Sequence, residues 1–99
     1  MPESKSHKTV ANRIARKYNT EYNEGAGADI VTSQVAVEVE PPETMSDAMR
    51  QLRGYRKRVY IAGINQEAVE KALEITKGTT VGVMDSQGNI LKRSTRKTG

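Results

Sequence analysis

The sequence predicts one small α/β domain, a central mixed β-sheet flanked by helices. Three features carry this reading. Val35–Glu40, written Val-Ala-Val-Glu-Val-Glu, alternates strictly, the period of a strand with two unlike faces. Residues 45–54 and 66–76 repeat apolar positions at helical spacing, and short apolar runs at 59–62 and 80–84 follow them. Strand and helix thus alternate in the second half, which puts helices on the faces of a sheet. The crossover from Glu40 through the second helix to Val59 is expected to be parallel and right-handed.

Composition bounds the size and the chemistry. The 99 residues suffice for one modest core, placed at 1–92. Residues 93–99 form a basic tail with no apolar anchor, expected to be disordered. With no Phe or Trp, the core rests on Val, Ile, Leu, Met and four Tyr. The absence of Cys excludes disulfides, thiolate metal sites and Cys nucleophiles, and one histidine, His7, disfavours a His-based zinc site. No apolar run matches a membrane span, and Met1-Pro2-Glu3-Ser4-Lys5 lacks the apolar centre of a signal peptide. The expectation is an intracellular protein, cytoplasmic or nucleoid-associated, without a membrane partner. A net charge of +4 permits an anionic partner.

The elements follow in order. Residues 4–18 read as a helix, with Val10, Ile14 and Tyr18 on one stripe beside Ala11 and Ala15. Its other face carries Lys5, Lys8, Arg13, Arg16 and Lys17 with no acid among them, either a solvated face or a phosphate-contacting one. Residues 19–24 read as a short strand. Gly25-Ala26-Gly27 is a flexible connection; no Gly-Lys-Ser/Thr follows to make it a nucleotide loop. Residues 28–40 read as a hairpin turning at Thr32-Ser33. Pro41-Pro42 stops it, and Thr44-x-x-Asp47 resembles a capping box ahead of helix 45–54, with Met45, Met49 and Leu52 inward. Arg50 and Gln51 lie off that stripe, and Gly54 suits the helix end. Arg56-Lys57-Arg58 leads into strand 59–62. Asn65 caps helix 66–76, whose inner face is Val69, Ala72, Leu73 and Thr76, and Gly78 ends it. Strand 80–84, a turn at 85–89 and strand 90–92 complete the fold.

The hairpin holds the chemistry. With a two-residue turn at Thr32-Ser33, Val31 pairs with Gln34 and Asp29 lies opposite Ala36, diagonal to Glu38 at roughly 7–8 Å. Glu40 follows about 6.5–7 Å along the same face. Three acids on one surface repel unless a positive group joins them. A hard divalent cation does this, and so does a Lys or Arg network. The plain alternative is a solvated edge strand beside a loop-capping Asp29.

Helix, three strands, helix and strand, with Gly27-Ala28-Asp29-Ile30-Val31 and Val37-Glu38-Val39-Glu40 in the second and third strands, resemble the PD-(D/E)XK nuclease superfamily. The likeness is strongest to its small archaeal Holliday-junction resolvase-like group and covers residues 8–62. Gln51-Leu52 matches a Gln that the family often carries on the following helix. The resemblance implies a restriction-endonuclease-like fold, an αβββαβ core plus an αββ extension. It also implies a DNA endonuclease, a Mg²⁺- or Mn²⁺-dependent phosphodiester hydrolase, with Asp29 and Glu38 as metal ligands. Glu40 stands where the family has Lys; some members carry Glu there and stay active, others are non-catalytic binders. Glu40 would take the water's proton or hold a second metal ion, and Gln51 would complete the catalytic set. No helix-borne Glu is present in residues 4–18; Glu21 or Glu24 would substitute for it.

Lys5, Lys8, Arg13, Arg16, Lys17, Arg53, Arg56 and Lys57, with the tail, are the expected nucleic-acid contacts. Tyr18, Tyr22, Tyr55 and Tyr60 either stack on bases or fill core and rim. Two-strand cutting implies a homodimer. Two competing readings are a nucleic-acid-binding protein that does not cut, and an assembly protein whose basic tail meets an acidic partner.

Overall fold

The computed structural model describes residues 5–25 and 27–98. Ser4 at the predicted helix start, the Lys5 side chain and Gly99 of the tail lie outside the described residues. The elements are α1 (Lys5–Lys17), β1 (Ile30–Val31), β2 (Val35–Glu40), a 3₁₀ turn (Pro42–Thr44), α2 (Met45–Gln51), β3 (Arg58–Gly63), α3 (Gln66–Ile75), β4 (Gly82–Met84) and β5 (Ile90–Lys92).

The strands form one mixed sheet in the order β1-β2-β3-β4-β5. The β2–β3 and β3–β4 pairs are parallel, with α2 and α3 as their crossovers; β1 and β5 pair antiparallel at the two edges. Strand alternation divides the core in two. Val35, Val37 and Val39 of β2 join Ile30, Tyr60, Ala62 and Met84 against Val10, Ala11, Ile14 and Ala15 of α1. Ala36, Val59, Ile61 and Val83 face the other way, onto Met45, Ala48 and Leu52 and onto Ala68, Val69 and Ala72 of α3. The result is a three-layer α/β domain, as the patterning predicts. Burying these aliphatic side chains contributes about 1.5–3 kcal/mol each for the larger ones, against a large ordering entropy.

Helix ends follow local chemistry. Asn65 caps α3, its Oδ1 accepting from Ala68 N–H at 2.8 Å. Gly78, at φ 74°, closes the far end. Asn19, at φ 59°, ends α1 in the left-handed conformation, and Thr20 N–H returns to Ala15 C=O at 2.9 Å, which completes a Schellman motif.

Three expectations are corrected. Residues 19–24 form no strand. Their ordered partner is the loop ahead of β1: Asn23 N–H donates to Asp29 C=O at 2.7 Å and its Nδ2 donates to Ala28 C=O at 3.0 Å. The hairpin turns one residue later than expected, at Ser33-Gln34. Thr32 Oγ1 accepts from Gln34 and Val35 N–H, which holds that turn. Ile30 therefore pairs with Val37 and Val31 with Ala36. Lastly, residues 94–96 are anchored, by polar rather than apolar groups. Buried Ser94 accepts from Val59 N–H at 3.1 Å and donates to Thr80 C=O at 2.8 Å.

Candidate acidic site at the sheet edge

The corrected register puts Asp29 directly opposite Glu38 rather than Ala36. The slip is an even number of positions in the pairing, so the acids keep a common face. Strand β1 contributes only two pairs, and beyond them the Asp29 side chain takes over: its Oδ2 accepts from Val39 N–H on the open edge of β2 at 2.8 Å. Asp29 N–H donates to Glu38 Oε1 at 3.2 Å. Asp29, Glu38 and Glu40 are all buried. They lie toward the carboxyl end of a parallel strand, where open α/β sheets place ligand sites.

Burial and crowding set their protonation. Glu38 is pushed up to about 9, first by burial and then by the neighbouring Asp29 and Glu40 charges. Glu40 is pushed up to about 7, mainly by burial, while the Thr44 hydrogen bond pulls the other way. Near neutral pH Glu38 thus keeps its proton, which relieves the repulsion among the crowded acids.

Two partners of the cluster are not apparent from the acidic motif. His7 Nε2 lies 3.2 Å from Asp29 Oδ2, reaching across from α1, with its Nδ1 3.4 Å from the Tyr22 hydroxyl. Thr44 Oγ1 donates to Glu40 Oε1 at 2.7 Å and makes no cap for α2, so the expected capping box is not formed. The signal for His7 was present: with Ala11, Ala15 and Tyr18 it falls on the apolar stripe of α1, an unusual place for the only histidine.

Other candidates are dispersed. Gln51 is exposed at the far end of α2, about 10 Å along the axis from Thr44, and is not brought to the acids. Glu21 and Glu24 are exposed in the 19–24 segment. Lys8, Arg16, Arg53 and Arg56 are exposed. Arg13, Lys17 and Lys57 are tied to backbone carbonyls: Arg13 to Ser86, Lys17 to Gly88 and Lys57 to Thr32, at 2.8–3.0 Å. Tyr60 is core, and the Tyr55 hydroxyl accepts from Ala28 N–H.

The donor set has the hard oxygen character that Mg²⁺ or Mn²⁺ prefers. Among the described residues, no three His, Asp or Glu side chains are already gathered as a metal shell. Asp29 is shared between His7 and the β2 backbone, and Glu40 is turned toward Thr44. No described helix is long and apolar enough to cross a membrane. No protein-family model matches the chain, and no significant match is found among curated proteins or solved structures.

Proposed function

We propose that the chain is a small metal-dependent nuclease that hydrolyses phosphodiester bonds in DNA. The observation that carries this is the juxtaposition of Asp29, just ahead of β1, and Glu38 on β2, with Glu40 beside them at the carboxyl end of β2. The resemblance of the Asp29 and Glu38-Val39-Glu40 segments to PD-(D/E)XK nucleases supports the same reading. In it, Asp29, Glu38 and Glu40 supply the oxygen donors for Mg²⁺ or Mn²⁺. When bound, such an ion polarises the phosphate and lowers the pKa of a coordinated water.

The chain's own groups have definite roles. His7 and Val39 N–H fix the Asp29 carboxylate against the sheet edge. Glu40 replaces the family's Lys and works by a different charge. A carboxyl near 7 takes up and releases a proton close to neutral pH, as a general base requires. Thr44 orients it. A second copy provides the second cut. Ile90 and Leu91, 48% and 51% exposed on edge strand β5, offer apolar surface for it.

A non-cutting binder is the second reading. It is favoured by the His7–Asp29 pair and by the absence of a gathered metal shell among the described residues. Incubation with plasmid and branched DNA, with and without Mg²⁺ or Mn²⁺, separates the two. Metal-dependent nicking supports the nuclease; intact DNA under every metal supports the binder.

A further inference from the structure

Two acid-free stretches of the sequence, 48–66 and 86–99, meet at the end of the sheet opposite the acids. Their meeting is built, not incidental. Arg96 Nη1 donates to Leu52 C=O at 2.6 Å and to Tyr55 C=O at 3.1 Å, and its Nε donates to Thr80 Oγ1 at 3.0 Å. Ser94 ties the same segment to Val59 at the start of β3. These bonds lay residues 94–98 along a cleft of about 550 Å³ lined by Gln34, Arg58, Ser94, Arg96 and Lys97 among others, with no Asp or Glu among the described residues of its wall. Arg58 and Lys97 of its wall are exposed, as are Arg53 and Arg56 in the segment that leads into β3. Neither they nor Arg96 forms an ion pair with a described carboxylate; Arg50, earlier in the 48–66 stretch, has one with Asp47.

Gathering like charges costs free energy unless an anion joins them. We infer that the tail and the lead into β3 together form an anchoring surface for the phosphate backbone of a nucleic acid, separate from the acidic site. A phosphate backbone fits better than an acidic peptide. Peptide surfaces draw their affinity from buried apolar anchors, whereas phosphate contacts need charge alone. Val35, the apolar residue in the cleft wall, is only 9% exposed and offers no such pocket. Arg58 pairs in register with Val35, Ile61 with Glu38 and Gly63 with Glu40, so the surface lies about 10 Å from Glu38 and about 16 Å from Glu40 along the strands. Nucleic acid held here reaches the acids only through a separate stretch of its backbone. This inference rests on the nuclease-like reading for its partner class, but not on cutting.

The test is anisotropy with a labelled DNA duplex of about 20 base pairs, in EDTA, between about 50 and 200 mM salt. Arg56→Ala, Arg58→Ala and Lys97→Ala, each with an unchanged thermal midpoint, should each flatten the slope of log affinity against log salt by about 0.9. Lys77→Ala, at an exposed site just past α3, should leave it unchanged. Unchanged slopes in all three variants overturn the inference. Equal or tighter binding of poly-glutamate, lost in the same variants, overturns it in favour of an acidic peptide. Because EDTA removes cutting from the measurement, a protein that binds this way but never cleaves keeps this inference and loses the nuclease reading. One that cleaves with unchanged slopes does the reverse.

Discussion

Asp29, one residue ahead of β1, is joined to Glu38 of β2 by its backbone N–H, which donates to Glu38 Oε1 at 3.2 Å. The Asp29 carboxylate is one reason, after burial, that Glu38 holds its proton past neutral pH. The site is therefore an electrostatic unit, and most of its testable behaviour follows from that.

Stability should depend on pH through Glu38. Its folded pKa, about 9, lies above the value of an unfolded glutamate. The folded state binds the extra proton, so stability is highest below about 4.5 for this group and falls as pH rises toward 9. Glu40 adds a smaller loss, completed near pH 7. Glu38→Gln removes the larger contribution. Its thermal midpoint should exceed wild type by on the order of 5 °C at pH 8 and match it near pH 4.5. Equal midpoints at both pH values would show that Glu38 ionises freely.

Thr44→Val removes the hydrogen bond that lowers the Glu40 pKa. The Glu40 pKa should rise, and the acidic limb of the cleavage–pH profile should move to higher pH. The stability cost should stay near about 1 kcal/mol, the usual net worth of one hydrogen bond. An unmoved limb would separate Glu40 from the proton transfer.

Glu40→Lys restores the residue that the family pattern expects. If Glu40 is the base, the change should lower cleavage by about 10²-fold or more. A gain of activity would instead mark Glu40 as the residue of a lapsed site.

The tail's anchor has a structural test. Ser94→Ala leaves Val59 N–H without its hydroxyl partner and should cost about 1–3 kcal/mol. Gly82→Ala should do at least as much harm, since a Cβ there meets the Lys92 carbonyl oxygen and lies 2.6 Å from Ser94 N and from the Tyr60 ring. Denaturant midpoints measure both. Wild-type midpoints would mean that the tail does not pack on the sheet.

Much of this was legible in the sequence, and the exceptions have physical causes. The period of Val35–Glu40 placed three valines on one face and two acids on the other, and both placements hold. The turn lies one residue later than the sequence suggests because Thr32 supplies the turn's acceptor rather than occupying its centre. The 19–24 strand failed because Asn19 turns the chain left-handed at the end of α1. Thr44 has a capping residue's identity, but its hydroxyl goes to Glu40, which the motif alone does not reveal. The tail has no apolar anchor in its sequence; Ser94 and Arg96 hold it instead through backbone carbonyls and amides, contacts that its sequence does not show. The basic blocks were visible as charge. Which cations are committed to loop carbonyls, as Arg13, Lys17 and Lys57 are, depended on contacts distant in sequence.

The most direct test of the central claim is one cleavage assay on plasmid DNA in Mn²⁺ or Mg²⁺, comparing wild type with Asp29→Asn and Glu38→Gln. Duplex binding is measured in parallel. The account predicts metal-dependent cutting by wild type and none by either variant. Binding should be unchanged or tighter, because each substitution removes a potential negative charge beside the phosphate. Cutting that survives both substitutions, or wild-type protein that neither cuts under any divalent metal nor takes one up in titration calorimetry, would contradict it.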